Sequence, residues 1–207
     1  MMLVVGLTGS IAMGKSTAAA FLRSRGVPVF DADAAVHDIY REEAVPLIEA
    51  AFPGSTDNAG VNRERLSAAL KTAPDGFERL EAIVHPLVRA RELAFLQEAA
   101  RTGAAVAVLD VPLLYETGLD AALDAVIVVS ASAEAQRERA MMRPGMTAAK
   151  LEQLLARQMP DDEKRRRAHF VVDTNGPPGA SLHQLDAILA MLSGRRANAF
   201  ARFWSRD

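Results

Sequence analysis

Five apolar runs rich in β-branched residues recur along the chain, at Leu3–Leu7, Val27–Phe30, Ala105–Leu109, Ala125–Val129 and, more weakly, Phe170–Val172. Each run is continuous rather than alternating, which is typical of strands covered on both faces. Helical patterns separate the runs, so we predict an α/β fold of three layers with a parallel sheet of about five strands. Ligands of such sheets bind at the carboxyl ends of the strands, which makes the polar residues there the first candidates for a site.

The long connection between the second and third runs is mostly helical in pattern. Residues 53–60 are a polar loop, and His85-Pro86 indicates a helix start or a kink near Pro86. We interpret residues 34–103 as a helical substrate-binding insertion, or alternatively as an extra helical layer without a ligand. His85 and Arg89 are candidates for an anionic or ribose group, although a surface helix start explains them nearly as well. The predicted helices are Ala34–Tyr40, Ala44–Phe52, Arg63–Lys71 and residues 75–102.

Residues 132–167 form a second insertion after the fourth run. Two helices are predicted there, Glu134–Met142 and Ala148–Gln158, with Thr147 as the N-cap of the second. Residues 181–193 read as the last core helix, and the tail to residue 207 as a short helix on the body. The resulting division is a core of 1–33, 104–131 and 168–195, an insertion of 34–103, a lid of 132–167 and a tail of 196–207.

Composition narrows the class of protein. The chain has 207 residues, half of them hydrophobic, which suits one domain with insertions. The net charge of -2 and the absence of cysteine leave no basic field for nucleic acid, no disulfide framework and no thiolate metal site. We find no signal peptide and no apolar stretch near the ~18 residues that span a membrane. We therefore expect a cytoplasmic protein.

The segment after the first run carries the most specific motif. Residues 9–16 read G-S-I-A-M-G-K-S and lead into a helical pattern. In G-x-x-x-x-G-K-S, loop N–H groups and the positive end of the helix surround nucleotide phosphates, the lysine reaches the β- and γ-phosphates, and the serine ligates Mg²⁺. We predict a triphosphate site that comprises Gly9, Ser10, Ile11, Ala12, Met13, Gly14, Lys15, Ser16 and Thr17, with Ser16 as a metal ligand.

Carboxylates follow the second and third runs. Asp31 and Asp33 come directly after the second run, where one of them can accept a proton from an attacking hydroxyl while the other caps a helix. We favour Asp33 for the catalytic role. Asp110 ends the third run, where a carboxylate typically holds Mg²⁺ or one of its waters, so it is the second metal candidate. Tyr115 and Glu116 are weaker candidates for the pocket wall.

Arginines and an amide complete the candidates. Arg139 and Arg143 are four residues apart, which predicts that they share a helix face and reach the transferring phosphoryl group. The basic run 164–167 follows three acidic residues, so we interpret it as a mostly solvated charged face. Asn175 follows the last run and either contacts an adenine edge or only forms a turn.

Together these residues resemble the dephospho-coenzyme A kinase family. The resemblance spans most of the chain in order, over segments 7–17, 31–37, 85–89, 110–116, 139–143 and 173–176. It implies a P-loop kinase fold, related to nucleoside-monophosphate kinases, with a mobile lid. It also implies transfer of the ATP γ-phosphoryl group to the ribose 3′-hydroxyl of dephospho-coenzyme A, with Mg²⁺ as cofactor. We expect a monomer or a weak homo-oligomer.

The resemblance assigns roles and also shows one departure. It implies that Asp33 is the base, that Lys15, Arg139 and Arg143 bind the phosphates, and that Asn175 lies near the adenine. The residues that it implies contact the acceptor are Asp33, His37, His85, Arg89, Leu113 and Tyr115. Family loops usually carry glycine where this chain has Ser10 and Ala12. A side chain there costs about 1–2 kcal/mol if the left-handed region is required.

Other classes of function fit less well. Another small P-loop kinase, acting on a nucleoside monophosphate or a small alcohol, is the nearest alternative. A GTP-dependent switch would need Asn-Lys-x-Asp, which the sequence lacks. A nucleic-acid-binding module is disfavoured by the slightly acidic balance and by the lack of an aromatic stacking motif.

Overall fold

The computed structural model describes residues 1–205, which form two compact units. Within the described residues, one unit comprises residues 1–30 and 96–205, and the other residues 31–95. The first contains a five-stranded parallel sheet whose strands are β1 (Leu3–Thr8), β2 (Val29–Asp31), β5 (Val106–Asp110), β6 (Ala125–Ser130) and β7 (Phe170–Asp173). The strand order is β2-β5-β1-β6-β7, which confirms the predicted sheet.

The central strand of the sheet is β1, and both of its neighbours are parallel. Leu3 pairs with Val106 of β5, and Val5 pairs with Ala125 of β6. Every residue of β1 and of β6 is buried, as their continuous apolar sequences predict. The sheet therefore holds the end of β1, where the phosphate motif begins, in the middle of its carboxyl edge.

Five helices of the first unit flank the sheet. They are α1 (Lys15–Ser24), α6 (Ala133–Met141), α7 (Ala148–Leu155), α8 (Asp161–Arg167) and α9 (Pro178–Leu192). Thr147 caps α7 as predicted, its side chain accepting from the Lys150 N–H. The tail ends in a short helical segment, Phe200–Trp204, and the buried Trp204 indole donates to the Ala122 carbonyl at 2.8 Å, so the described part of the tail packs on the body. Residues 206–207 of that prediction lie outside the described range.

The second unit is mainly helical, as the sequence predicts. Its elements are α2 (Ala32–Ile39), α3 (Ala44–Ala51), β3 (Thr56–Asp57), β4 (Gly60–Val61), α4 (Arg63–Thr72) and most of α5 (Gly76–Arg101). Ile39, Ile48 and Phe52 form its core with Leu66 and Leu70. No helix within residues 1–205 is long and apolar enough to cross a bilayer.

The structure corrects several sequence predictions in these elements. Residues 53–60 are not only a loop, because β3 and β4 pair as a small antiparallel hairpin. Pro86 neither starts nor ends a helix but lies inside α5. Pro86 and Ala82, whose carbonyl loses its helical partner, are both exposed, so water can satisfy that carbonyl. The helix predicted to Gln158 ends at Leu155, and α8 was not predicted as a helix.

Candidate active site

The phosphate loop connects β1 to α1 and has two residues in the left-handed region. Gly14, the N-cap of α1, has a φ of 90°. Ala12 has a φ of 62° and is the one non-glycine residue with a positive φ in the described range. Gly9 is required for a different reason, because a Cβ there would lie 2.7 Å from the Val129 carbonyl oxygen. The concern about Ala12 is therefore confirmed, whereas Ser10 is not at a positive φ.

Lys15 and Asp110 form an ion pair at the carboxyl edge of the sheet. The Lys15 ammonium lies 2.5 Å from Asp110 Oδ1, and the side chains are 16% and 4% exposed. Lys15 begins α1 and Asp110 ends β5, the strand beside β1, so adjacent strands bring the two residues together. A buried carboxylate thus neutralises the charge of the predicted phosphate-binding lysine.

The oxygen atoms of Ser16 and Asp110 are suitable ligands for a magnesium ion. Ser16 is exposed in the first turn of α1, and its hydroxyl and the Asp110 carboxylate are hard oxygen ligands. Within residues 1–205 no group of three or more acidic, histidine or cysteine side chains is clustered for a metal. One or two protein oxygens together with substrate phosphates is the arrangement that Mg²⁺ prefers in kinases.

Arg139 lies at this site, whereas Arg143 is arranged differently from the prediction. The Arg139 guanidinium donates to the hydroxyl of Thr174 at 3.2 Å and to its carbonyl at 2.5 Å. Helix α6 ends at Met141, and Arg143 lies beyond it, exposed. The prediction that the two arginines share a helix face is therefore wrong, because Pro144 disfavours helical backbone at Arg143.

A cavity of about 230 Å³ opens beside the phosphate loop. Its wall includes Gly14, Thr17, Arg139, Thr174 and Gly176, together with apolar residues of β7 and α9. The cavity thus extends from the start of α1 to the turn after β7.

Asn175 is adjacent to this cavity but outside its lining. Its Oδ1 accepts from the Ser132 N–H at 2.7 Å, and its amide donates to Asp173 at 2.7 Å. The side chain therefore ties the turn after β7 to the start of α6. An adenine contact by Asn175 stays a prediction.

The segment after β5 holds a buried ion pair that the sequence does not reveal. Lys164 of α8 is fully buried, 2.9 Å from Glu116. The interpretation of residues 164–167 as a solvated face is wrong for Lys164, although the three arginines are exposed. Burial alone would raise the pKa of Glu116, but hydrogen bonds from Lys164 and from the Met159 N–H outweigh it and hold that pKa below its usual value.

Leu113 and Tyr115 lie in the same segment in different environments. Leu113 is 40% exposed, whereas Tyr115 is buried with Leu114 and Val126. The Tyr115 hydroxyl is buried and has no hydrogen-bond partner among the described residues. Burial and the Asp120 carboxylate raise its pKa to about 12, against an opposing effect of Arg167 over the ring. Contact of either residue with the acceptor stays a prediction.

In the second unit, the two predicted aspartates are distinguished by their contacts. Asp31 is the N-cap of α2, and its side chain accepts from the Ala34 N–H at 3.0 Å, so the capping interpretation is confirmed for it. Asp33 is exposed in the first turn of α2. His37, one turn further on, is exposed, with its Nε2 3.5 Å from an Arg41 nitrogen. These placements leave Asp33 and His37 accessible to a ligand.

His85 and Arg89 lie one turn apart on α5. His85 is exposed, and Arg89 is 3.6 Å from Glu92. Burial raises the pKa of the Glu92 carboxyl and is only partly opposed by Arg89, while burial lowers the pKa of Arg89 against the effect of Glu92. Glu92 was not identified from the sequence, because nothing in a helical pattern of mixed charge marks one carboxylate as buried.

Two glutamines at the phosphate loop were also missed. Gln136 and Gln158 both hydrogen-bond the backbone of Ile11. They are 22 residues apart in a polar segment with no motif, so no sequence signal could have found them.

A parallel sheet with a phosphate loop after its central strand, a lysine–aspartate pair across adjacent strands and an arginine-bearing helical segment together define a P-loop kinase. The dephospho-CoA kinase family model matches residues 3–178. The chain belongs to that family and is a kinase that transfers phosphate from ATP to an alcohol.

Individual relatives agree with this assignment. A dephospho-CoA kinase from Brucella melitensis is 52% identical, over 96% of this chain and 99% of its own. Among solved structures, the chain is similar to TT1252 from Thermus thermophilus, with a TM-score of 0.81 and 35% identity over 93% and 99% of the two chains. The dephospho-CoA kinase from Campylobacter jejuni gives 0.70 and 25% over 93% and 98%.

Proposed function

We propose that this chain binds ATP in the phosphate loop and transfers its γ-phosphoryl group to the ribose 3′-hydroxyl of dephospho-coenzyme A, giving coenzyme A and ADP. The observation that carries the proposal is the Lys15–Asp110 pair at the mouth of the loop. The pair positions the Lys15 ammonium group beside the N-terminus of α1, where phosphate binding is favoured. Residues Gly9 to Thr17 would surround the triphosphate.

Binding of ATP would exchange partners at Lys15. The ammonium would then contact the β- and γ-phosphates, and the Asp110 carboxylate would hold the metal with Ser16. A bound Mg²⁺ would supply neutralisation of charge on the β- and γ-phosphate oxygens. Ser16 is exposed and Asp110 is pre-placed at a strand end, so neither side chain requires a change of backbone.

Asp33 is proposed to orient the 3′-hydroxyl and to take its proton as the phosphoryl group transfers. Its carboxylate is exposed in the first turn of α2, and Asp31, not Asp33, serves as the cap of that helix. Asp33 therefore has no structural duty at the helix end that would compete with proton transfer. Phosphoryl transfer requires mostly positioning and neutralisation of charge, for which one correctly placed carboxylate is sufficient.

The remaining predicted residues would bind the two substrates. Arg139 is already beside the loop and Arg143 follows it on an exposed turn, so both are proposed to neutralise the transferring group. Asn175 would lie near the adenine, and His37, His85, Arg89, Leu113 and Tyr115 are the proposed acceptor contacts. We further propose a core of 1–33, 104–131 and 168–195, an acceptor-binding insertion of 34–103, a mobile lid of 132–167 and a tail of 196–207.

The proposal is tested by coupled ADP release with Mg²⁺ and ATP, with and without dephospho-coenzyme A. We expect release that depends on the acceptor, with coenzyme A formed in equal amount. Omission of Mg²⁺ should abolish release if Ser16 and Asp110 hold the metal. ADP release that ignores the acceptor, from protein shown to bind ATP, would contradict the proposed acceptor. A cytoplasmic location and a monomeric or weakly oligomeric state are proposed with this function, and sedimentation tests the latter.

A further inference from the structure

Gln136 and Gln158 both hydrogen-bond the backbone of Ile11 in the phosphate loop, and we call this pair of contacts the glutamine grip. The Ile11 N–H donates to Gln158 Oε1 at 3.1 Å, and Gln136 Nε2 donates to the Ile11 carbonyl at 2.9 Å. An N–H only donates and a carbonyl only accepts, so the orientation of both side-chain amides is fixed by their partners. Gln136 lies on α6 and is 7% exposed, whereas Gln158 follows α7 and is half-buried.

The residue after Ile11 is the strained one. Ala12, at a φ of 62°, is in the left-handed region, which costs about 1–2 kcal/mol for a residue with a Cβ. Its methyl group is buried in a cluster with Ala140 of α6 and Leu151 of α7. The segment that grips Ile11 therefore also covers Ala12, so hydrogen bonds and apolar contact favour the same loop conformation.

Helix α6 also contacts the loop indirectly, because its Arg139 hydrogen-bonds Thr174, which in turn hydrogen-bonds the loop. The Thr174 hydroxyl donates to the Met13 carbonyl at 2.9 Å, and Arg139 donates to that hydroxyl. Gln136 and Arg139 are three residues apart on α6, so they share a helix face. Helix α6 thus fixes the backbone of the loop with one residue and places a phosphate-binding cation with another.

The glutamine contacts occupy one N–H group of the loop. The Ile11 N–H is taken by Gln158. The first N–H groups of α1 have no partner within the helix, so they are the groups that the proposed phosphate site would use. A loop that is fixed at Ile11 and Ala12 can therefore present its other N–H groups without rearranging when a phosphate arrives.

We propose that Gln136 and Gln158 are positioning residues for phosphoryl transfer: their bonds to Ile11 hold Ala12 in the left-handed conformation that preorganises the loop for ATP. The inference rests on the loop binding ATP, as proposed above. A preorganised loop lowers the conformational cost of binding and keeps the donors aimed at the developing charge. Loss of the two hydrogen bonds to Ile11 should therefore lower kcat/KM for ATP and leave the KM for the acceptor unchanged.

The decisive comparison is made at Gln158, which is only half-buried. Gln158→Glu keeps an oxygen that accepts from the Ile11 N–H, whereas Gln158→Met keeps the length of the side chain and removes the acceptor. We expect Gln158→Met to lower kcat/KM for ATP about tenfold and Gln158→Glu to stay within about threefold of the wild type. The KM for dephospho-coenzyme A should not change in either variant.

Gln136 supplies a matched variant. In Gln136→Glu the carboxylate cannot donate and faces the Ile11 carbonyl, so kcat/KM for ATP should fall by about tenfold or more. Gln158→Glu is its control, because it adds the same charge while keeping its hydrogen bond. If Gln136→Glu does not fold, the Gln158 pair decides the question alone. Thermal unfolding of each variant without nucleotide separates a structural loss from a functional one.

The mechanism is tested in an Ala12→Gly background. Glycine adopts the left-handed conformation at little cost, so the loss caused by Gln158→Met should shrink to about threefold there. An equal loss in both backgrounds would overturn the proposal, as would a Gln158→Glu variant that is as impaired as Gln158→Met. A lower Tm with unchanged kcat/KM would make both glutamines merely structural. If the wild type showed no acceptor-dependent turnover, the proposed function would fail, and calorimetric ATP affinity of the same variants would still decide the grip.

Discussion

The Lys15–Asp110 pair allows the stability and the catalytic role of one lysine to be measured separately. Lys15→Ala leaves the Asp110 carboxylate, 4% exposed, without its ammonium partner. Removing one member of a buried pair costs about 3–5 kcal/mol, and the lower end applies here because Lys15 is 16% exposed and water can enter in its place. For a chain of this size, about 3 kcal/mol corresponds to a Tm that is lower by roughly 6–12 °C.

The same substitution should remove phosphoryl transfer, for a different reason. Lys15 neutralises the phosphates in the proposed reaction, and kcat should fall by at least about a hundredfold, as for other lost charge-stabilising groups. In Lys15→Ala/Asp110→Asn the Asp110 charge is removed together with the Lys15 charge, so we expect most of the lost Tm to return while transfer stays absent. The assays are thermal unfolding followed by circular dichroism and coupled ADP release. Lys150→Ala, at an exposed lysine of α7, is the control and should change neither.

Two results would refute this reasoning. If the double variant were no more stable than Lys15→Ala, the buried carboxylate would not be the source of the lost stability. Near-normal transfer by Lys15→Ala would remove the lysine from the phosphate site and contradict the assignment of the loop.

Four further substitutions each test a single side chain. Asp33→Asn should keep ATP affinity and lose most of kcat in the ADP-release assay, and near-normal turnover would remove Asp33 from the base role. Glu116→Gln should lower the free energy of unfolding at pH 7 by about 3–5 kcal/mol, because it leaves Lys164 fully buried without its carboxylate partner. Glu92→Gln should raise the free energy of unfolding, because burial disfavours the Glu92 charge. Chemical denaturation tests both variants, and a change of the same sign in the two would contradict the pKa directions. Tyr115→Phe removes a buried hydroxyl without a partner among the described residues, so Tm should rise by roughly 2–4 °C; a higher KM for dephospho-coenzyme A instead would show that the hydroxyl binds the acceptor.

The two glutamate variants should also differ in their pH dependence. The folded-state pKa of Glu116 is lowered, so its contribution is present above the unfolded pKa near 4.5 and is lost as pH falls through the folded value. The folded-state pKa of Glu92 is raised, so the wild type loses stability as pH rises from about 4.5 through the folded value. At acid pH the free energy of unfolding of each variant should therefore approach that of the wild type. Glu116→Gln approaches it from below and Glu92→Gln from above.

The sheet and the phosphate loop could be predicted from the sequence because they leave local signals. A strand buried on both faces, such as β1, is a continuous apolar run, and a loop that must admit phosphates needs glycine where a Cβ would clash, as at Gly9. Asp31 could likewise be identified as a possible cap, since an aspartate before a helical pattern is a local feature.

The remaining features depend on contacts between distant parts of the chain. Lys164 is buried only because Glu116, 48 residues earlier, lies 2.9 Å away, and its sequence neighbours are exposed charges. Arg143 was misplaced because one proline after it ended the helix early. The glutamine grip joins three separate segments at Ile11, and no one of them shows a pattern that points to the others.

The place of β1 in the sheet has a consequence for the order of events on the ribosome. Although β1 is synthesised first, Leu3 pairs with Val106 and Val5 with Ala125, so its partners emerge about a hundred residues later. At roughly 5–20 residues per second, the nascent β1 waits roughly 5–20 s before either neighbour exists. During that time the six residues of β1, which are buried in the folded protein, have no native cover, and the phosphate loop has no anchored strand from which to fold. The nucleotide site at residues 9–17 therefore cannot form on an anchored strand until β5 and β6 have emerged, and ATP cannot assist folding before that point.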